Sequence, residues 1–65
     1  MKNFVSDFVS NGFSKTDVCA YPQNSIDVIA NIMKEINIKS MPVFESPWNK
    51  KIIGIIEYDS IKEFV

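Results

Sequence analysis

Three side chains capable of acid–base or hydrogen-bonding chemistry follow a run of isoleucines near the carboxyl end of the chain. They are Glu57, Asp59 and Ser60, directly after KIIGII at residues 51–56. Two carboxylates two residues apart on a strand share one face, an arrangement that suits a general acid and a general base. The chain has no histidine and no arginine, and nothing else of a catalytic site accompanies this pair. We therefore predict no catalytic residues and no enzymatic activity.

The single cysteine, Cys19, limits the redox and metal chemistry of the chain. One thiol cannot form an internal disulfide, and without histidine a structural zinc site lacks its usual ligands, so we predict no metal site. Cys19 also lacks a nearby basic activator in the sequence, which favours an inert packing role over a reactive thiol. A lone thiol and an amino terminus, MKNFVSDFVSNGF, that does not fit a signal peptide together predict a cytoplasmic location.

The charge and size of the chain exclude some partners and favour others. Its formal net charge is −1 and its lysines are spread along the sequence, so it lacks the electrostatic footprint of a protein that binds nucleic acid or an anionic membrane. No apolar stretch reaches the roughly 20 residues that a membrane span needs. A chain of 65 residues forms one small domain, whose core rarely supplies more than about 5 kcal/mol. With 46% hydrophobic residues, the domain is expected to gain stability by associating with another chain.

The first part of the chain contains a predicted helix and a short extended piece. Over residues 2–11 the apolar side chains have the i, i+1, i+4, i+5 spacing of an amphipathic helix: Phe4, Val5, Phe8 and Val9. We assign residues 1–14 to this N-terminal helix. Few cations lie on its polar side, which favours packing on a protein over lying on a membrane surface. An extended segment around residues 18–21 follows, and Pro22 ends it.

The clearest predicted helix spans residues 25–37. Asn24 is its predicted N-cap, and Asp27 three residues later completes a start that resembles a capping box. Polar residues occupy only a narrow stripe of this helix. Its apolar positions are Ile26, Val28, Ile29, Ala30, Ile32, Met33 and Ile36. Because a helix with so wide an apolar face packs against more than one surface, we expect a sheet on one side and a second helix or another chain on the other.

Two strands are predicted at residues 41–45 and 51–57, joined by a hairpin loop at residues 46–50. The continuous β-branched isoleucines of the second strand indicate that both of its faces are covered. Gly54 inside this run indicates close approach of another backbone or of a ligand. Trp48 in the loop is either a binding hot spot for a partner or a lid on the hairpin.

A final helix is predicted to begin at Ser60, which forms a second Ser-x-x-Glu capping box with Glu63. The sequence stops after little more than one turn of this helix. Two explanations remain open: the chain is a fragment of a longer protein, or a partner covers the exposed end of the core.

The order of these elements and four short motifs together resemble the CBS domain, a family named after cystathionine beta-synthase. The motifs are Pro22 before the capped helix, MKEINI at residues 33–38, MPV at 41–43 and GII at 54–56. The resemblance covers residues 15–65, which we assign to a single CBS motif with a truncated C-terminal helix. It implies an α/β fold with a β-α-β-β-α core. Such units work in pairs packed sheet to sheet, so a chain with one repeat is expected to form a homodimer.

Pairs in this family often bind adenosine compounds, namely AMP, ATP or S-adenosylmethionine, in the cleft between repeats, and they regulate an attached enzyme, channel or transporter. The resemblance therefore implies a regulatory module that senses such a ligand and has no catalytic activity of its own. An alternative stays open, in which the chain is a ligand-free module whose surfaces only join chains or domains of a larger protein.

The resemblance also implies which residues contact the ligand. One group lies on the first strand and around the start of the MPV motif: Cys19, Ala20, Tyr21, Lys39, Ser40, Met41 and Pro42. A second group follows the GII motif, where binding members carry a hydroxyl residue and, three positions later, an aspartate. Here those two positions hold Glu57 and Ser60, and Asp59 is displaced by one residue.

This departure from the family pattern bears on the chemistry of the ligand. A carboxylate at Glu57 repels phosphate, and Ser60 is a weaker acceptor for ribose hydroxyls than a carboxylate would be. Lys39 partly compensates, because basic residues at its position often meet phosphate in the family. The sequence thus favours adenosine itself over phosphate-bearing ligands. Tyr21 is expected either to stack on the adenine or simply to cover the core.

Overall fold

The computed structural model describes residues 3–64, and its elements mix helix and strand. In chain order they are a 3-10 turn at Val5–Asp7, helix α1 at Ile26–Ile36, strand β1 at Ser40–Phe44, strand β2 at Ile52–Glu57, helix α2 at Tyr58–Ile61 and a 3-10 turn at Lys62–Phe64. The predicted α/β class is confirmed. Within this described part of the chain, no helix is long and apolar enough to cross a membrane. Met1, Lys2 and Val65 lie outside the described residues. The start of the predicted segment 1–14 and the end of the predicted segment 15–65 therefore fall outside them as well.

Helix α1 supplies one side of the apolar core. Its buried face consists of Ile26, Ile29, Ala30 and Met33, each at most 4% exposed. Spacings of three and four residues place these side chains on one side of the helix. The helix predicted over residues 25–37 is confirmed within one residue at each end. Asn37 ends it with left-handed backbone angles, φ 58° and ψ 49°.

The predicted cap at Asn24 is wrong by one residue. Ser25 is the N-cap, with extended angles of φ −74° and ψ 135°, and its hydroxyl donates to the Asp27 carboxylate. The side-chain oxygen of Asn24 instead accepts a hydrogen bond from the Tyr21 backbone N–H at 2.7 Å. Because that bond closes the turn before α1, the asparagine side chain is engaged in the turn rather than in the helix.

Strands β1 and β2 form the antiparallel hairpin that the sequence predicted, with each end within one residue of its predicted position. The predicted first strand is reduced to a single parallel bridge between Ala20 and β1. In this bridge the Ala20 N–H donates to the Pro42 carbonyl oxygen at 2.9 Å, and the Phe44 N–H donates to the Ala20 carbonyl oxygen at 3.0 Å. The order β-α-β-β-α is therefore present, with a first strand of minimal length.

The predicted N-terminal amphipathic helix is wrong. Among residues 3–14 the structure has one 3-10 turn at Val5–Asp7, and Ser10 forms an antiparallel bridge with Ile55 of β2 through two hydrogen bonds of 2.9 Å. A helix would need these backbone groups for its own bonds, but they are bound to distant parts of the chain. The Val5 N–H, for example, donates to the Asn24 carbonyl oxygen at 2.9 Å. These tertiary bonds outweigh the local helical pattern.

The apolar core lies between the helices and one face of the sheet. Its buried side chains are Val5, Ala20, Ile26, Ile29, Ala30, Met33, Met41, Val43, Ile56 and Ile61. The prediction that both faces of β2 are covered holds for Ile55 and Ile56, at 8% and 0% exposed. It does not hold for Ile52 and Ile53, which are 41% and 39% exposed. Coverage of β2 is thus limited to the half of the strand where Ser10 pairs with it.

Gly54 lies where another backbone approaches β2, as its position in the isoleucine run predicted. A Cβ atom built on Gly54 would lie 2.5 Å from the Ser10 carbonyl oxygen and 2.5 Å from Val9 Cγ1. The approaching backbone is the N-terminal segment of this same chain. A larger residue at this position would force that segment away from the edge of β2.

The last helix begins earlier than the capping pattern predicted. Helix α2 starts at Tyr58, with Glu57 as its N-cap in extended angles of φ −107° and ψ 132°, so the predicted start at Ser60 is wrong. The Tyr58 N–H donates to the Lys39 carbonyl oxygen at 2.8 Å. This bond turns the chain into α2 directly after β2, two residues before the Ser-x-x-Glu pattern begins.

Candidate ligand-binding site

The hairpin register joins two groups of predicted ligand contacts at one end of the sheet. Ser40, the first residue of β1, lies opposite Glu57, the last residue of β2. Lys39 precedes Ser40, and its carbonyl oxygen accepts the Tyr58 N–H at 2.8 Å. Residues 39–40 and the start of α2 therefore form one corner of the domain.

Three of the predicted contacts are buried in the domain rather than exposed at its surface. Ala20 is 0% exposed, Met41 is 1% exposed, and Pro42 is also buried. The N–H and carbonyl groups of Ala20 both take part in hydrogen bonds to β1. The structure thus gives these three residues a supporting position, and it leaves the surface to Cys19, Tyr21 and the residues of the corner.

Cys19 and Tyr21 flank Ala20 and contact each other. The Cys19 thiol donates to the Tyr21 hydroxyl, with 3.5 Å between sulfur and oxygen. The side-chain hydrogen bond with Cys19, followed by burial and by the electrostatic interaction with the same residue, raises the pKa of the Tyr21 hydroxyl. The phenol is therefore protonated at neutral pH and offers a hydrogen-bond donor. Both side chains are partly exposed, so both are accessible to a bound molecule.

The polar side chains of the corner face solvent. Glu57, Asp59 and Ser60 are exposed, and Asp59 forms an ion pair with Lys62 at 3.8 Å. An exposed pair of this kind contributes at most about 1 kcal/mol to stability. Lys39 is exposed as well. The corner thus holds Glu57 and Lys39 together with the Asp59–Lys62 pair, so its formal charges cancel, and the Glu57 carboxylate beside Ser40 is the group that disfavours a phosphate.

One residue beside the predicted contacts was missed by the sequence analysis. Ser14 is 9% exposed, and its hydroxyl lies 2.8 Å from the Ser40 hydroxyl. The two serines are 26 positions apart in the sequence. A contact over that separation depends on how residues 10–20 cross the sheet, and no local pattern in the sequence reveals that path.

Comparison with known proteins identifies the fold. No family model and no curated protein matches the chain. The crystal structure of the CBS domain pair of protein MJ0100, in complex with 5′-methylthioadenosine and S-adenosyl-L-methionine, is similar to it with a TM-score of 0.63 and 22% sequence identity. The match covers 77% of this chain and 39% of that chain, so this chain spans about two fifths of the domain pair. The chain therefore has the fold of a single CBS unit, as the sequence resemblance predicted.

Proposed function

We propose that this chain is a non-catalytic, cytoplasmic regulatory module that forms one half of a CBS-type pair and binds an adenosine-containing ligand. The ligands in question are AMP, ATP and S-adenosylmethionine. The observation that carries the proposal is that the fold joins Lys39, Ser40 and Glu57 in one corner. In support, the CBS pair that the fold resembles was crystallised with two adenosine compounds. Two copies of the chain would supply the pair, and the cleft between them the binding site.

The side chains of the corner, together with Tyr21 beside the Ala20–Val43 bridge, match the functional groups of adenosine. The partly exposed Tyr21 ring offers a surface on which adenine can stack, and its protonated hydroxyl offers a donor. The Glu57 carboxylate is a strong acceptor for the two ribose hydroxyls. The Ser40 hydroxyl can either donate or accept. Recognition of the nucleoside therefore requires no arginine and no metal ion.

Charge separates the possible ligands from one another. AMP and ATP carry phosphate, which Glu57 repels and Lys39 attracts, while Asp59 and Lys62 offset each other as an ion pair. S-adenosylmethionine carries a sulfonium cation, which the Glu57 carboxylate attracts. We therefore place S-adenosylmethionine first, uncharged adenosine second and ATP last in order of affinity.

The regulatory step is a shift between two arrangements of the paired copies. A ligand in the cleft favours one arrangement by its differential affinity for the two, and an attached effector responds to the change. The exposed stripe on α1 is a second surface through which copies or an effector can associate; it consists of Val28, Ile32 and Ile36.

Thermal unfolding in the presence of ligand tests the proposal. A ligand at 100 times its dissociation constant adds about 2.7 kcal/mol to the free energy of unfolding, which raises the midpoint of a domain this small by roughly 10 °C or more. We expect the largest shift with S-adenosylmethionine and the smallest with ATP, both at millimolar concentration. Glu57→Gln should reduce the first shift, whereas Glu63→Gln, an exposed glutamate in the last turn, should not. Unchanged midpoints with every adenosine compound would contradict the proposal.

The competing function is that of a ligand-free assembly module. It is favoured by the carboxylates at the corner, Glu57 and Asp59, and by the exposed apolar stripe on α1. In that case gel filtration with light scattering would show a dimer, while no adenosine compound would change the unfolding midpoint. A dimer whose midpoint rises with ligand supports sensing instead.

A further inference from the structure

One face of the sheet is partly buried although the helices do not pack on it. Met41, Val43 and Ile56 enter the core, and the alternate positions at the same end of the sheet form what we call its outer face: the paired residues Ser40 and Glu57, and Pro42 and Ile55. The helices pack on the core side, yet Pro42 is buried and Ile55 is only 8% exposed. Another part of the chain therefore covers this face at Ile55, whereas Glu57 stays exposed.

Residues 10–14, which we call the strap, provide this cover. Ser10 pairs with Ile55 along the edge of β2 by two hydrogen bonds of 2.9 Å. A Cβ atom built on Gly12 would lie 2.9 Å from Ile55 Cδ1, so Gly12 lies directly against the Ile55 side chain. The glycine thus permits a close approach of the strap to the outer face.

The strap then crosses from β2 to β1. The Ser14 hydroxyl bonds to the Ser40 hydroxyl of β1 at 2.8 Å, and Ser14 is buried in this contact. The chain continues to Ala20, which pairs with β1 on the side away from β2. The strap therefore spans the outer face from one edge of the sheet towards the other.

We propose that the strap competes with a second copy of this chain for the outer face of the sheet. The inference rests on the proposed pairing through the sheet, because the strap lies on the residues that a sheet-to-sheet pair must bring together. A pair forms only after the strap of each copy has opened. The strap is thus an autoinhibitory contact that disfavours pairing of the chain at low concentration.

Few interactions hold the strap, so it can open while the core stays folded. Its contacts with the sheet include two backbone hydrogen bonds at Ser10 and one hydroxyl bond at Ser14. Of its five residues only Ser14 is buried, and Phe13 is 76% exposed. Segments with few buried apolar contacts open locally at a free energy well below that of global unfolding.

Competition between the strap and a second copy predicts a specific change in the dissociation constant of the dimer. Loss of one neutral hydrogen bond raises the open population of a closed strap about fivefold. A two-fold symmetric pair requires two open straps, so the dissociation constant of the dimer falls by the square of that factor, about 25-fold. An effect that acts on only one copy would change the constant about fivefold.

Sedimentation equilibrium on the full chain measures this constant. Ser14→Ala removes the hydroxyl bond to Ser40. Ser6→Ala is its matched control, because Ser6 is an exposed serine of the same N-terminal segment and lies outside the strap. Gly54→Ala is a second way to release the strap, since the added Cβ would meet the Ser10 carbonyl oxygen. Amide hydrogen exchange on the same samples reports strap opening independently.

We expect Ser14→Ala to speed exchange of the Ser10 amide and to lower the dimer dissociation constant about 25-fold, while Ser6→Ala changes neither. Faster exchange with an unchanged, weaker or absent dimer would overturn the competition. Unchanged exchange in both Ser14→Ala and Gly54→Ala would also overturn it, because these contacts would then not hold the strap. Ligand sensing is tested independently of this competition, because it is measured by the midpoint shift with S-adenosylmethionine and not by the dissociation constant of the dimer.

Discussion

The two parts of this chain, residues 3–24 and residues 25–64, differ in the sequence separation between the residues that contact each other. In residues 25–64, α1 and the hairpin form within one residue of the limits that local patterns predict. In residues 3–24, a helical pattern is present, but the structure contains a 3-10 turn and isolated bridges to distant residues. Hairpin pairing and helix bonds are local, whereas the N-terminal bonds reach α1 and β2. Periodicity is thus a good guide only where hydrogen-bond partners are close in sequence.

The largest effect that tests this comparison is the loss of a core side chain from β2. Ile56 is 0% exposed, so Ile56→Ala should cost about 2–5 kcal/mol. A domain this small rarely has more than about 5 kcal/mol of stability, so the variant should be largely unfolded at room temperature. Ile52→Ala, at a position 41% exposed on the same strand, is the control and should stay folded. Urea unfolding followed by circular dichroism measures both, and equal costs would contradict the burial pattern.

A smaller loss of stability is expected from substitutions in the N-terminal segment, where local sequence patterns failed to predict the structure. Val5 is 0% exposed, and Val5→Ala should cost about 1.5 kcal/mol because two methyl groups leave the core. Phe4→Ala removes more atoms, but the Phe4 side chain is 42% exposed. Its loss should therefore lower the free energy of unfolding by less than the loss of a buried phenylalanine would. The same urea titrations apply. If Val5→Ala were neutral, the N-terminal segment would not be docked on the core.

The smallest effect concerns the end of α1. Asn37 has a positive φ of 58°, a conformation that costs residues with a Cβ about 1 kcal/mol. Asparagine tolerates it better than alanine, so Asn37→Ala should destabilise the domain by about that amount and Asn37→Gly should be close to neutral. Asn31→Ala, inside the helix, gains helix propensity but loses the hydrogen bond that the Asn31 amide donates to the Asp27 carbonyl oxygen at 3.0 Å, so it should change the stability by no more than about 0.5 kcal/mol. Unfolding midpoints that rank Asn37→Ala above wild type would contradict the left-handed cap.

Local signals were sufficient for some elements and insufficient for others. The apolar spacing of α1, the asparagine at its end and Gly54 in the isoleucine run each have a physical meaning that can be read without the fold. The start of α2 could not be predicted locally, because it is fixed by the Tyr58 bond to the Lys39 carbonyl oxygen rather than by the serine cap pattern. The strap is invisible for the same reason, since the bond between Ser14 and Ser40 joins distant residues.

The candidate site also combines features that the sequence predicts with features that it does not. The resemblance supplied its residues, and the hairpin register explains why Ser40 and Glu57 are neighbours. That Ala20 and Met41 are buried depends on how the sheet packs on α1, which a list of site positions does not contain. The charge of the site could be predicted directly, because Glu57 and Asp59 are exposed and keep their carboxylates at the surface.

Amide NMR spectra of the full chain during titration with S-adenosylmethionine test the central claim most directly. Binding at the corner predicts the largest shifts at Ser40, Glu57 and Tyr58, with smaller ones along β1, and no change at Val28 on the exposed stripe of α1. Adenosine should shift the same amides at a higher concentration, because it lacks the sulfonium cation. A spectrum that does not change at millimolar S-adenosylmethionine, or changes only along α1, would contradict an adenosine site at this corner and leave the assembly module as the function.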